Sequence, residues 1–459
     1  MTFLSTRKTR SNLALAIALA TGTAVTATAI FPAEANAQRR DRDRDRDSEQ
    51  EQDGGGYGDE FRAVYTPLDE KLKAEGADLT GIEGELRQLS GLLNTNDEKL
   101  AGGSLIFNAA SKIENPELQL LGMEMMLSSG MVPADQVGRY NFIAYQLAAQ
   151  QDDYAKSRTY LQNAIDANFT TEQIDAAGLQ ITMAESYFAE NRYAEGFDYL
   201  KDAIAARKAS GQPIDEQWYR RGVTVAYENE IEPTVYEFAT MWIADFPSET
   251  NWRDAVNLTR NLNTFERGEM LDLFRLSRRT GALQDASDYD YYIEAADPRR
   301  LPREVKDVID EGKASGVISE SNLFVSEALD TAEGRIAADQ AELPDLERDA
   351  GADGAALRTV VAAGDAFLSY GEYAKAARFY ERSLSMPGVS MDEELTRLGI
   401  AQIGMGDYAA ARETLGKVSG NRMPIAQLWI AYANQLAGGT SAAEAAATAV
   451  SATPEMTGT

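Results

Sequence analysis

Two stretches of this chain repeat one pattern thirty-five residues apart, and that pattern allows little besides helices packed in pairs. They are GDAFLSYGEYAKAARFYERSL, Gly364 to Leu384, and GIAQIGMGDYAAARETLGKV, Gly399 to Val418. Aligned on Tyr373 and Tyr408, both carry a Gly nine residues earlier, a Gly two earlier, an Ala three later and a large residue seven later. Gly364 or Gly399 on a first helix, and Ala376 or Ala411 on a second, remove side-chain bulk where two helices must approach closely. Gly371 and Gly406 suit the left-handed turn that ends the first helix, a conformation costly for residues with a Cβ. Phe367, Tyr373, Tyr380, Ile403, Tyr408 and Leu415 then fill the space between neighbouring pairs.

A second region follows the same rules. In LAAQQDDYAKSRTYLQNAI, Leu147 to Ile165, and MAESYFAENRYAEGFDYLKDAI, Met183 to Ile204, the landmark tyrosines Tyr154 and Tyr193 lie thirty-nine residues apart. Ala184, Gly196, Leu200 and Ala203 occupy the expected positions around Tyr193, and Ser157, Leu161 and Ala164 those around Tyr154. Tyr145 stands where a small residue is expected, so that pair has either a wider crossing or a different register. The combination resembles the tetratricopeptide repeat family, whose unit is ~34 residues of two antiparallel helices. The resemblance implies an all-α, right-handed α-solenoid of stacked antiparallel helix pairs. It also implies a concave groove, lined by the first helix of each unit, that binds peptides or helices of a partner protein. On that pattern the groove candidates are Arg139, Phe142 and Gln146; Ile181, Glu185 and Phe188; Arg358, Val361 and Asp365; and Thr396 and Ile400.

Punctuation along the rest of the chain supports an all-helical reading. Breaks are expected at Asn115-Pro116, Val132-Pro133, Gly211-Gln212-Pro213, Phe246-Pro247, Asp297-Pro298, Leu343-Pro344, Met386-Pro387 and Met423-Pro424. The first residues have the form of a secretory signal: Arg7, Lys8 and Arg10, an apolar stretch from Leu13 to Ala20, and a small-x-small site at Ala35-Asn36-Ala37. The mature chain is expected to begin at Gln38 and to be periplasmic or secreted. Residues 38–60, with alternating Arg and Asp and then a Gly cluster, have no apolar face and read as a disordered linker. Helical hairpins are expected over 61–135, repeats over 136–250, divergent repeats or a helical insert over 251–350, and repeats with a capping helix over 351–438. Within 251–350 the stretch Asn251 to Arg279 is amphipathic, with Trp252, Val256, Leu271, Phe274 and Leu276 on its apolar positions. In the cap, Trp429 and Tyr432 are placed to close the end of the stack. The small residues of 439–459 are expected to fray.

Composition removes whole classes of chemistry. The chain has no His and no Cys, which excludes His-based triads, HExxH zinc sites, disulfides and thiolate nucleophiles. A formal net charge of −29 opposes nucleic-acid binding, which depends on a clustered positive surface. After Gln38 no apolar run is long enough to cross a bilayer. No cofactor and no metal are implied. Asp288 and Asp290 suit the positive end of a helix dipole better than a metal or sugar site. The basic spots Arg278-Arg279 and Arg299-Arg300 with Arg303 can pair with acids of the chain or clamp a carboxylate or phosphate. The leading functional expectation is a protein-binding scaffold or adaptor whose partner is another protein or peptide of the cell envelope. The alternative is an envelope enzyme or carbohydrate-binding protein that uses Asp, Glu, Tyr and Arg on a helical surface.

Overall fold

A computed structural model describes residues 56–172, 174–319 and 321–451, the stretch 439–451 as backbone only. The expected signal segment and most of the linker lie outside the described residues. Those residues are all-helical, without a strand, and their twenty α-helices pack in neighbouring pairs. The chain divides into two compact units, with the boundary between Ile214 and Asp215, inside the stretch 136–250 that the sequence groups together.

Unit 1 contains α1 (Asp59–Lys73), α2 (Ile82–Ser90), α3 (Asn96–Lys112), α4 (Pro116–Ser128), α5 (Ala134–Ala149), α6 (Tyr154–Asp166), α7 (Ala176–Ala189) and α8 (Tyr193–Ser210). Unit 2 begins with α9 (Glu216–Glu228), α10 (Glu232–Asp245), α11 (Glu249–Leu262), α12 (Arg267–Arg279), α13 (Ala286–Ala296) and α14 (Pro302–Ala314). It continues with α15 (Leu323–Gly351), α16 (Leu357–Ser369), α17 (Tyr373–Ser383), α18 (Met391–Gly404), α19 (Tyr408–Leu415), a single 3₁₀ turn at Gly420–Arg422, and α20 (Met423–Ser451).

One turn geometry closes eight of the helix pairs. In each, a residue with positive φ follows the first helix, and the next residue's N–H donates to the carbonyl five residues back. This is the hydrogen bond of a Schellman C-cap, which satisfies a carbonyl at the helix end. The turn residues are Glu114, Asp152, Asn191, Glu230, Gly281, Gly316, Gly371 and Gly406. At Gly371 the φ is 73° and Glu372 N donates to Phe367 O at 2.9 Å; at Asn191 the φ is 59° and Arg192 N donates to Tyr187 O at 3.0 Å. Gly281 and Gly316 have the same bonds, to Ser277 O and Gly312 O, so the stretch 251–350 contains two hairpins of the same construction. Asp153 and Asp407 then cap the following helices, each accepting the N–H three residues on.

Close approach follows the small residues. A Cβ built on Gly364 would lie 2.6 Å from the Tyr380 ring, and one on Gly399 would overlap Leu415. Gly222 meets Phe238 in the same way, again sixteen residues on, which extends the pattern to the α9–α10 pair. Ala376 and Ala411 are fully buried at their helix contacts. In unit 1 the tightest pair is α3 against α4, where a Cβ on Gly103 would lie 2.7 Å from Gly122 O, a backbone-to-backbone contact.

Three local expectations need correction. Pro344 does not end a helix, because α15 runs from Leu323 to Gly351 through it. Its position is exposed, so water can take the carbonyl that lost its N–H partner. The linker ends at Gly58, since Asp59 and Glu60 form the first turn of α1, where acids favour the helix dipole. The helix α20 runs to Ser451, past the 438 expected as the end of the cap, because the small residues there are largely Ala, the strongest helix former.

Within unit 2 the last helix packs back onto the first ones. Trp429 Nε1 donates to Asp272 O at 3.1 Å, Trp252 Nε1 donates to Gln435 Oε1 at 3.1 Å, and the Trp252 and Tyr432 rings meet edge to face. The capping residues thus seal onto α11 and α12, and one core joins Ile243, Trp252 and Leu276 to Phe367, Leu398 and Trp429. A second core gathers α13, α14 and the start of α15 around Leu271 and Phe274.

Candidate functional site

The helix α12 has no solvent face through its middle: the seven residues Leu271 to Ser277 are all buried. Leu271 and Phe274 point into one core of unit 2, and Leu273 and Leu276 into the other. Between the two apolar faces lie Asp272 and Arg275, so the seam of the unit is ionic. A buried charge is tolerated only when paired and hydrogen-bonded, and these are. Asp272 receives Arg275 at 2.9 Å and Arg422 at 2.7 Å, with Arg397 at 3.5 Å. Arg275 grips Glu304 of α14 with two donors, at 2.8 and 2.7 Å, and Tyr292 OH donates to the same carboxylate at 2.8 Å. Arg397 of α18 reaches Asp365 of α16 at 3.0 Å and Glu393 at 2.7 Å. Asp365 also accepts from Tyr380 OH at 2.9 Å and pairs with Arg300.

The electrostatics follow from this arrangement. Burial alone would raise the Asp272 carboxyl, but the guanidiniums of Arg397, Arg422 and Arg275 outweigh it and hold the group below the ordinary carboxylate range. Glu304 behaves alike, with burial overcome by Arg275. Burial drives the hydroxyls of Tyr292 and Tyr380 well upward, so both remain donors. These groups clamp α12, α14, α16 and α18 together.

Beside this seam opens a cleft of about 390 Å³. Its walls come chiefly from α12, α14, α16 and α18, the leading helices of four successive hairpins. Four arginines line it. Arg275 is committed to Asp272 and Glu304, Arg278 to Glu311 at 2.8 Å, and Arg303 to Asp307 at 2.9 Å. Arg279 differs: half-buried, it meets no carboxylate among the described residues. Its Nη2 donates to Tyr373 OH at 2.9 Å, and its guanidinium lies 5.3 Å from the Tyr373 ring and 6.0 Å from the Trp429 ring. Leu368 and Ile400 give the cleft an aliphatic wall. A planar anion could accept two parallel hydrogen bonds from such a guanidinium.

The groove candidates fall into distinct places. Ile400 lines the cleft, and Asp365 belongs to the ionic seam behind it. Thr396 is fully buried with its hydroxyl on Asp392 O, Val361 is half-buried and Arg358 is exposed. In unit 1, Phe142 packs in a core with Tyr145, Leu161 and Met183, and Phe188 is buried against Phe197 and over Gly196. Gln146, Ile181 and Glu185 are half-buried, and Arg139 is exposed. Tyr145, oversized for its position, is accommodated by stacking obliquely on Phe142, with ring centroids 5.5 Å apart.

Other charged motifs resolve into structural roles. Asp288 accepts the N–H groups of Gln284 and Asp285 and caps α13. Among the described residues no group of three or more acids is placed to hold a metal ion, and no helix is long and apolar enough to cross a membrane. The seam itself, with Asp272, Glu304 and Arg397, was not singled out from sequence. Its signal was a pair of opposite charges three residues apart, Asp272 and Arg275, set among the apolar Leu271, Leu273, Phe274 and Leu276. No protein-family model matches the chain, and no curated protein matches it.

Proposed function

We propose that this chain is an exported, tetratricopeptide-like scaffold that binds another protein of the cell envelope. The cleft of unit 2 receives a segment of that partner. What supports the reading is Arg279: a half-buried guanidinium that meets no carboxylate among the described residues, set in a cleft that the leading helices of four hairpins build. A lone cation at such a place costs stability unless something repays it, and a ligand anion would. The cleft's chemistry fits a segment that brings an acidic group to Arg279 beside an aliphatic one at Leu368 and Ile400. The chain's charge of −29 favours carrying that segment on a partner that is cationic elsewhere.

The test compares the full processed chain with its Arg279→Glu variant in affinity capture from an envelope fraction, with bound proteins quantified by mass spectrometry. A partner retained by the wild type should fall at least tenfold on the variant, while circular dichroism and melting remain unchanged. Equal retention on both would refute the cleft as the binding site. Export has its own test: N-terminal sequencing of the mature protein should begin at Gln38.

A further inference from the structure

Inside the ionic seam the charges do not balance. Four guanidiniums, Arg275, Arg300, Arg397 and Arg422, face four carboxylates, Asp272, Glu304, Asp365 and Glu393. Glu394 is a fifth carboxyl in the same interior, 2% exposed, and among the described residues no guanidinium lies within ion-pair distance of it. Its polar contact is the hydroxyl of Ser383 on α17, at 3.1 Å from Oε2. That hydroxyl has one proton to give, and it lies closer, at 2.7 Å, to Tyr380 O, which can only accept. The contact with Ser383 is therefore complete when Glu394 itself carries the donating proton.

We propose that unit 2 carries a proton-operated lock: Glu394 is held as a neutral acid in the closed structure, and its ionisation draws Arg397 away from Asp365 and Asp272, loosening α18 from α16 and α12. The groups that face Glu394 set the balance. Arg397 and Glu393 come from its own helix and Asp365 from α16, while Ser383 and Tyr380 belong to α17. On α19, Arg412 is engaged by Asn434 and Glu413 by Lys417. From α12 and the 3₁₀ turn, Asp272 and Arg422 act on it through Arg397 and Glu393. Burial, opposed by Arg397 and reinforced by Asp365, pushes the Glu394 carboxyl up to about 7. The chain has no His and no Cys, so a proton exchanged near neutrality comes from a displaced carboxyl such as this one or from the α-amino group. Ile400, further along α18, lines the cleft, so the lock acts on its wall; that consequence alone rests on the cleft being a binding site.

The experiment follows the four tryptophan indole N–H resonances of the full ¹⁵N-labelled chain from pH 5.5 to 8.5, with Trp429→Phe to assign Trp429. The Trp429 indole donates to Asp272 O and so reports the contact that Arg397 helps hold. In the wild type its resonance should move with a midpoint near 7, and in Glu394→Gln it should stay fixed. An unchanged titration in Glu394→Gln, or a stationary Trp429 resonance in the folded wild type, would each overturn the proposal. None of these readouts depends on a ligand, so failure of the lock is distinct from failure of the cleft.

Discussion

Replacing Arg397 with Met tests whether the ionic seam holds unit 2 together. The guanidinium is 1% exposed and reaches three carboxylates, Asp272, Asp365 and Glu393. Methionine approximates its aliphatic volume but leaves those acids without their shared counter-ion. Breaking a buried pair from one side costs about 3–5 kcal/mol, because the remaining charge stays desolvated. Here the lower end applies: Asp272 keeps Arg275 and Arg422, and Asp365 keeps Tyr380 OH and the half-exposed Arg300. A loss of about 3 kcal/mol in a unit of this size lowers its melting temperature by roughly 6–12 °C. Tryptophan emission in urea is the assay, since Trp218, Trp242, Trp252 and Trp429 all lie in unit 2 and unit 1 contributes nothing to the signal. Lys417→Ala is the control; its partner Glu413 is exposed, and the change should cost under about 0.5 kcal/mol. If Arg397→Met lost less than about 1 kcal/mol, the seam would be an ornament on a core held by apolar packing alone.

Ala376→Leu and Ala411→Leu should each overpack a hairpin and cost about 1–3 kcal/mol by the same urea assay; Gly364→Ala, whose new Cβ meets the Tyr380 ring, should fall in that range too. Stability against pH should show two limbs. Asp272 and Glu304 are depressed in the fold, so their contribution is present above their unfolded values and is lost as pH falls through the folded ones. Glu394 is raised from 4.5 to about 7, so its contribution is complete below 4.5 and declines as pH rises through 7, by about 3 kcal/mol in all. Glu394→Gln should flatten the alkaline limb in denaturation curves at pH 5 and 8 and leave the acid limb in place; a wild-type curve equally stable at both pH values would contradict the assignment.

Much of the hairpin construction was legible where the turn residue is Gly. Gly371 and Gly406 announced their left-handed turns because few other residues are placed at such positions so regularly. At Asp152, Asn191 and Glu230 the same backbone conformation is imposed on residues that do not advertise it, and the series is hidden there. Each of these residues sits two before the first residue of its second helix, as Gly371 and Gly406 do, and the bond closing the turn is the same. The α3–α4 contact was invisible for the opposite reason. Gly103 and Gly122 belong to different helices, and nothing in either sequence says that the two glycines meet.

Local sequence sufficed to establish that the chain is helical, that its helices pair, and where close packing demands Gly or Ala, because those requirements act over one hairpin and are written in local spacing. It also determined what the chain lacks, His and Cys, and so the chemistry it cannot perform. That α20 returns to α11 and α12, that Asp272 meets Arg397 and Arg422 from far along the chain, and that Arg279 meets no acid among the described residues emerge only from the packed fold. Whether a charge is paired, and whether a carboxyl keeps its proton, depends on what the fold brings within a few ångströms, and that distance is set by the whole unit.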